Sequence, residues 1–199
     1  MMPFGELKVE FFEQLQASDE RLAAALANER CGHCGGPLHR ANYRRKPRGG
    51  IFAKAGEETA LRYSLCCGRR GCRKRALPPS LRFLGRRVYL GAIVVMASAF
   101  GLVAASLSAA CKVSGVPVRS AQRWATWWTC TFACSSAWAE VRARFAAPAI
   151  CDSELPLSLL ERVHAAQGRD PPLTKTLMLM ARLLAPMTTT YPESRRHSD

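Results

Sequence analysis

Acidic side chains are scarce where basic ones are dense. The 199 residues carry 29 lysines and arginines against 15 acids, a formal net charge of +14. Between Arg30 and Arg87 there are 16 basic residues and two acids, Glu57 and Glu58, while the rest of the chain is balanced. A uniformly basic protein would suggest only solubility; one basic block of 58 residues is the footprint of a module that meets a polyanion. A secretory leader is not expected either, because Met1-Met2-Pro3-Phe4-Gly5-Glu6 has no basic start followed by an apolar stretch. Nine cysteines, an odd number, argue against a disulfide-stapled secreted fold. No internal repeat is visible at a period of about 20–50 residues. Nor does any nucleophile sit beside a supporting base: His164 is a lone histidine on an expected helix, and no enzymatic activity is expected.

Apolar residues make up 48% of the chain, enough for a core. Phe4, Leu7, Phe11, Leu15, Leu22 and Leu26 recur at helical spacing, with a break expected near Ala17-Ser18-Asp19, where Ser18 can cap a second helix. Residues 30 to about 76 are rich in Gly, Pro, Arg and Cys. There Pro47-Arg48-Gly49-Gly50 reads as a turn and Leu61-Arg62-Tyr63-Ser64-Leu65 as a short strand. After Pro78-Pro79, Ser80 can cap the next element. The 24 residues 88–111 are uncharged, long enough for a membrane span, yet equally the string of a buried central helix. Basic residues on both sides, Arg86-Arg87 before and Lys112, Arg119 and Arg123 after, give no orientation bias, and the buried helix is the expectation. A second helical stretch runs from Val118 through Phe132 and on after a bend to Phe145, closed by Pro148. Helices near 155–166 and 173–184 precede a polar tail.

The cysteines carry the sharpest signal. Cys31-Gly32-His33-Cys34-Gly35-Gly36 is a C-x2-C-G-G knuckle, a tight turn whose backbone N–H groups can point at thiolate sulfur. It is answered by Cys66-Cys67-Gly68-Arg69-Arg70-Gly71-Cys72. Two such hairpins closing on four thiolates make a structural zinc site, with Cys31, Cys34, Cys67 and Cys72 as the expected ligands. Alternation puts Tyr63, Leu65 and Cys67 on one face, which favours Cys67 over Cys66 and leaves Cys66 as the substitute. His33 is expected to face solvent or phosphate, and His39 to be a loop residue rather than a ligand. A redox C-x-x-C is not favoured, since no βαβ pattern surrounds it.

Around the knuckles lie Arg40, Arg44, Arg45, Lys46 and Arg48, then Arg69, Arg70, Arg73, Lys74 and Arg75, then Arg82, Arg86 and Arg87. Arginine outnumbers lysine, and its planar fork suits phosphate. Leu107 through Trp124 then has the order of a helix-turn-helix: a small-residue helix, a turn at Gly115-Val116-Pro117, and a second helix. On that helix Ala121, Trp124 and Trp128 fall on one face, leaving Arg119, Ser120, Gln122, Arg123 and Thr126 for solvent, with donors suited to bases and phosphates.

Taken in order, Cys31-x2-Cys34-Gly35, Cys67 and Cys72, Leu84-Gly85-Arg86-Arg87-Val88-Tyr89-Leu90 and Gly115-Val116 through Trp124 resemble the N-terminal region of ISXO2-like insertion-sequence transposases. In that family a zinc ribbon and a basic stretch lead into a helix-turn-helix. The resemblance covers about residues 29–130. It implies binding to element ends and a mobile-element setting, as an accessory or truncated transposase-like product. The departures are an irregular second knuckle and no room for the family's RNase H-like domain, because the remaining acids (Asp152, Glu154, Glu161, Asp170, Glu193 and Asp199) have no strand pattern to place them.

The expectation is therefore a mainly α fold with a small β zinc ribbon followed by a helix-turn-helix domain. The segments are an N-terminal amphipathic helix (1–28), a basic zinc ribbon (29–80), the helix-turn-helix (81–146), and C-terminal helices with a tail (147–199). Zinc is the expected cofactor and double-stranded DNA the expected partner, alongside a separate recombinase or a second copy of the chain. A cytoplasmic, nucleoid-associated location is expected, with no small-molecule substrate. The alternative from another class is a membrane protein with one span near 88–111 and a cytosolic zinc module. RNA is a third reading, weakened by scattered aromatics (Tyr43, Phe52, Tyr63 and Phe83).

Overall fold

A computed structural model describes residues 7–45, 57–84, 89–145 and 150–188. Lys46, Arg48, the Pro47–Gly50 turn, Arg86, Arg87, Pro148 and the tail from 189 lie outside the described residues. The fold is mainly helical with a small sheet, in chain order α1 (Val9–Ala27), β1 (Leu38–Arg40), β2 (Tyr43–Arg44), β3 (Leu61–Arg62), β4 (Leu65–Cys67) and β5 (Arg75–Ala76). Then come α2 (Gly91–Val103), α3 (Leu107–Ser114), α4 (Val118–Thr126), α5 (Ser136–Arg142), α6 (Leu157–Ala165) and α7 (Leu173–Leu184).

The expected break in the first helix does not occur. Helix α1 is continuous, and Ser18 caps nothing: its hydroxyl donates back to the Gln14 carbonyl at 2.9 Å, the local bond a mid-helix serine can make. Asp19, within the expected break, is fully buried and ion-paired to Arg82.

Two antiparallel sheets form in the basic block. One has the order β1-β4-β5 and the other pairs β2 with β3. The single strand expected over 61–65 is thus two strands in different sheets. Tyr63, Leu65 and Cys67 nonetheless all point inward. In the register of the larger sheet Leu38 faces Cys67, His39 faces Cys66 and Arg40 faces Leu65. His39, expected in a loop, is a strand residue.

The uncharged run from 88 to 111 is not one helix. Helix α2 spans 13 residues and ends as Ala104 turns extended; Ser106 then caps α3 by accepting from the Ala109 N–H at 3.1 Å. Thirteen residues rise about 20 Å, well short of a hydrocarbon core of about 30 Å. Among the described residues no helix is long and apolar enough to cross a membrane. Every residue of α2 from Gly91 to Ala99 is buried, the mark of a helix surrounded on all sides. One apolar cluster joins it to Phe11 and Leu15 of α1, Trp124 and Trp128, and Leu159, Leu160 and Leu177, with Leu179 packed at its edge. A separate small cluster of Leu26, Leu38, Leu65 and Ala76 sits with Cys31 and Cys67.

The stretch from Val118 continues from α4 into a wider π-helical segment, Trp127–Phe132, and resumes as α5 after Ser135, whose hydroxyl accepts from the Trp138 N–H. Helices α6 and α7 fall where the C-terminal pair is expected.

Candidate metal centre and basic helix

The first knuckle is shaped by its backbone. The Cys31 carbonyl accepts from the N–H groups of Cys34 at 3.2 Å and Gly35 at 2.7 Å, and the Cys31 N–H donates to the Gly36 carbonyl at 2.8 Å. Gly35 has φ +67°, a left-handed conformation that glycine adopts without penalty. At Gly36 the issue is space: a Cβ would lie 3.0 Å from Cys67 Sγ and 3.3 Å from Cys34 Sγ. The second knuckle runs from the end of β4. Gly68 N–H donates to Pro37 O and Cys72 N–H to Arg69 O, tying this turn to the first.

These turns bring the sulfurs of Cys31, Cys34, Cys67 and Cys72 within 4.8 Å of one another, with Cys31 to Cys72 at 3.8 Å and Cys34 to Cys67 at 3.4 Å. A tetrahedral ion with metal–sulfur bonds of about 2.3 Å needs sulfur separations near 3.8 Å, so the donor set fits such a cation. The group can hold a metal ion, and its four soft thiolates suit zinc. Cys66 is excluded by the pleat. It shares the opposite face of the sheet with His39, and its thiol donates to the Arg73 carbonyl at 3.3 Å.

Crowding splits the thiols' acidities. The Gly36 backbone N–H, then the neighbouring sulfurs, lower Cys34 to about 7. At Cys67 the Arg69 N–H acts downward, but burial and bonds from the other cysteines override it and push the thiol up to about 12. Cys72 is also raised, the Lys74 N–H being outweighed by Cys34, burial and Cys31.

The basic residues divide into exposed and internal ones. Arg69, Arg70, Arg73, Lys74 and Arg75 are exposed around the second knuckle. Arg69 donates to the Cys34 carbonyl at 2.8 Å, and Arg75 lies over the Tyr43 ring. Arg44 is exposed, whereas Arg45 is half-buried against Phe83. Arg82, counted above with the surface charge, is internal. It pairs with Asp19 at 3.0 Å, donates to the Thr59 and Leu61 carbonyls, and stacks on Tyr63 and Phe83. Arg62 is buried too, donating to the Pro78 carbonyl at 2.6 Å. Nothing in the local sequence distinguishes these two arginines from their exposed neighbours.

No family model matches this chain, and no curated protein or solved structure matches it.

Helices α3 and α4 pack on each other and on α2, joined by a turn through Gly115. Gly115 has φ +65°, and it and Val116 both donate to the Cys111 carbonyl, so the chain reverses without a spare residue. Val116 is buried and seals the corner. Ala121, Trp124 and Trp128 are buried as the spacing requires, Trp124 edge-on to Tyr89. Arg119, Gln122, Arg123 and Thr126 are exposed, and Ser120 is half-exposed.

Proposed function

We propose that this protein binds double-stranded DNA through a zinc-loaded ribbon and a helix-turn-helix. The observation that carries the reading is α4. In nine residues it sets Ala121 and Trp124 into the core while presenting Arg119, Gln122 and Arg123 outward, with no acid on the helix. Glutamine suits the donor and acceptor edge of adenine, and arginine that of guanine, in a groove wide enough for a helix. In this reading α3 and α4, packed together and joined through Gly115, act as a helix-turn-helix whose second helix enters the major groove.

The ribbon supports the same reading. Four thiolates would hold zinc, which when bound fixes the two knuckles relative to each other. The exposed Arg69, Arg70, Arg73, Lys74 and Arg75 then form a cationic edge suited to phosphate, and the exposed Arg44 lies on the other, two-stranded sheet. In this reading the chain is a non-enzymatic accessory or truncated transposase-like protein of a mobile element, acting in the cytoplasm on the nucleoid. Its partners beyond DNA are a recombinase or a second copy.

The test is selection from a random duplex pool, followed by titration across salt. With about six phosphates neutralised, log K falls against log salt with a slope near −5. Arg69→Ala and Arg73→Ala weaken all sequences alike. Arg119→Ala and Gln122→Ala each relax preference at particular base pairs, by about 1–3 kcal/mol. A pool that yields no enriched sequence, or equal losses on every sequence from both sets of variants, overturns the recognition-helix assignment.

A further inference from the structure

The first part of the uncharged stretch is covered by its own chain, but the last part is not. Leu102 and Val103 end α2 in the open, Val113 is 62% exposed in the last turn of α3, and Val118 is exposed where α4 begins. Ala105 and Ala109 between them also face solvent. Single exposed apolar residues are ordinary; a connected set of them marks a contact surface. Here the connection follows from spacing. Ala109 and Val113 are four residues apart on α3 and share a face, and only the Gly115 turn separates Val113 from Val118. At the other end a Cβ on Gly101 would lie 3.1 Å from Leu107 Cδ1, so the last turn of α2 abuts the first turn of α3.

Two properties of this strip say what covers it. The first is charge. The chain carries a net +14, yet between Leu102 and Val118 the one charged residue is Lys112. Two copies repel through their basic blocks and can approach on this strip at little electrostatic cost. The second is the order of sizes. The larger side chains stand at the two ends, Leu102 and Val103 at one and Val113 and Val118 at the other, with alanines between. Turned about a two-fold axis beside Ala109, the strip meets itself: the α2 end of each copy covers the Val113 end of the other, and the small centre lets the two α3 helices come close. In that register Lys112 lies six residues from its own image. That is about 9 Å along the helix, beyond the screening length of about 8 Å at physiological salt.

We propose that the last turn of α2, the outer face of α3 and the first turn of α4 form a two-fold interface between two copies of this chain. One eight-residue helix and its flanks make a small contact, on the order of 1,000 Å2 in total, so the dimer is weak and forms only at high concentration. Each dimer carries two copies of α4. Its DNA sites are then inverted repeats, a consequence that rests on the DNA-binding reading, whereas the dimer itself does not.

The test is sedimentation equilibrium of the full, metal-loaded chain without DNA, from about 1 to 200 μM. The mass should rise from one chain towards two, and raising the salt should tighten the dimer, because the contact is apolar and the repulsion is screened. Val113→Asp and Val103→Asp should each weaken association at least tenfold, with the unfolding midpoint unchanged, although each lowers the net repulsion. Ala165→Asp, the same charge change on the exposed surface of α6, should leave it intact. A chain that stays monomeric throughout overturns the proposal, as does a dimer indifferent to both strip variants. Flotation with phosphatidylglycerol vesicles that is lost in Val113→Asp, in a chain that does not dimerise, also overturns it and assigns the strip to lipid. A random duplex pool that enriches no sequence overturns the DNA-binding reading and leaves the dimer standing.

Discussion

Replacing Asp19 by alanine tests how the helical core is joined to the basic sheets. The carboxylate is fully buried and accepts from three donors on one short segment: the Ser80 hydroxyl at 2.6 Å, the Leu81 N–H at 2.5 Å and Arg82 Nε at 3.0 Å. Arg82 relays this contact to the carbonyls of Thr59 and Leu61. In Asp19→Ala the guanidinium stays buried with its charge uncompensated. Removing one member of a buried pair costs about 3–5 kcal/mol, and the loss should fall at the upper end because Ser80 and Leu81 lose their acceptor as well. For a domain stable by about 5–15 kcal/mol this is a large fraction. The assay is urea unfolding of the full, metal-loaded chain. With a slope of about 2–3 kcal/mol/M, the midpoint should drop by roughly 1–2 M. Adding Arg82→Met should restore much of the loss, since the unpaired charge then disappears. A loss below about 1 kcal/mol, or a double variant no more stable than Asp19→Ala alone, would refute the reasoning.

The four-cysteine site yields three further tests. Cys34→Ser should abolish stoichiometric metal binding by elemental analysis while Cys66→Ser retains it; the reverse would exchange their roles. Each bound cation must displace protons from thiols such as Cys67, so affinity should rise with pH and fall in acid. Chelator competition between about pH 5.5 and 8 measures this, and a flat profile would be incompatible with thiolate ligation. Gly36→Ala should weaken metal binding without unfolding the helical core, because the added carbon meets Cys67 Sγ at 3.0 Å and Arg69 Cβ at 3.1 Å; unchanged affinity would show that the knuckle yields.

Local chemistry made the cysteine site legible. The C-x2-C-G-G turn forms from bonds within six residues, and period-two alternation along Tyr63, Leu65 and Cys67 was enough to choose Cys67 over Cys66. The opposed faces of α4 were legible for the same reason, since helical spacing alone puts Ala121, Trp124 and Trp128 together.

Charge and continuity were different. The sequence alone determined that the basic residues are concentrated in one block, that four cysteines can close on a cation, and that 88–111 carries no charge. Each of these follows from composition or from a repeat shorter than one turn or pleat. Which arginines leave the surface was decided only by tertiary structure. Arg82 and Arg62 are buried because Asp19, some sixty residues from Arg82, and the carbonyls of Thr59, Leu61 and Pro78 converge on them. The same convergence keeps α1 continuous through Asp19, by giving its charge a partner that no neighbouring residue supplies. The division of the apolar run is likewise a matter of packing. Alanine and serine permit helix and extended backbone alike, and α3 and α4 must turn away from α2 at Ala104 to close over it.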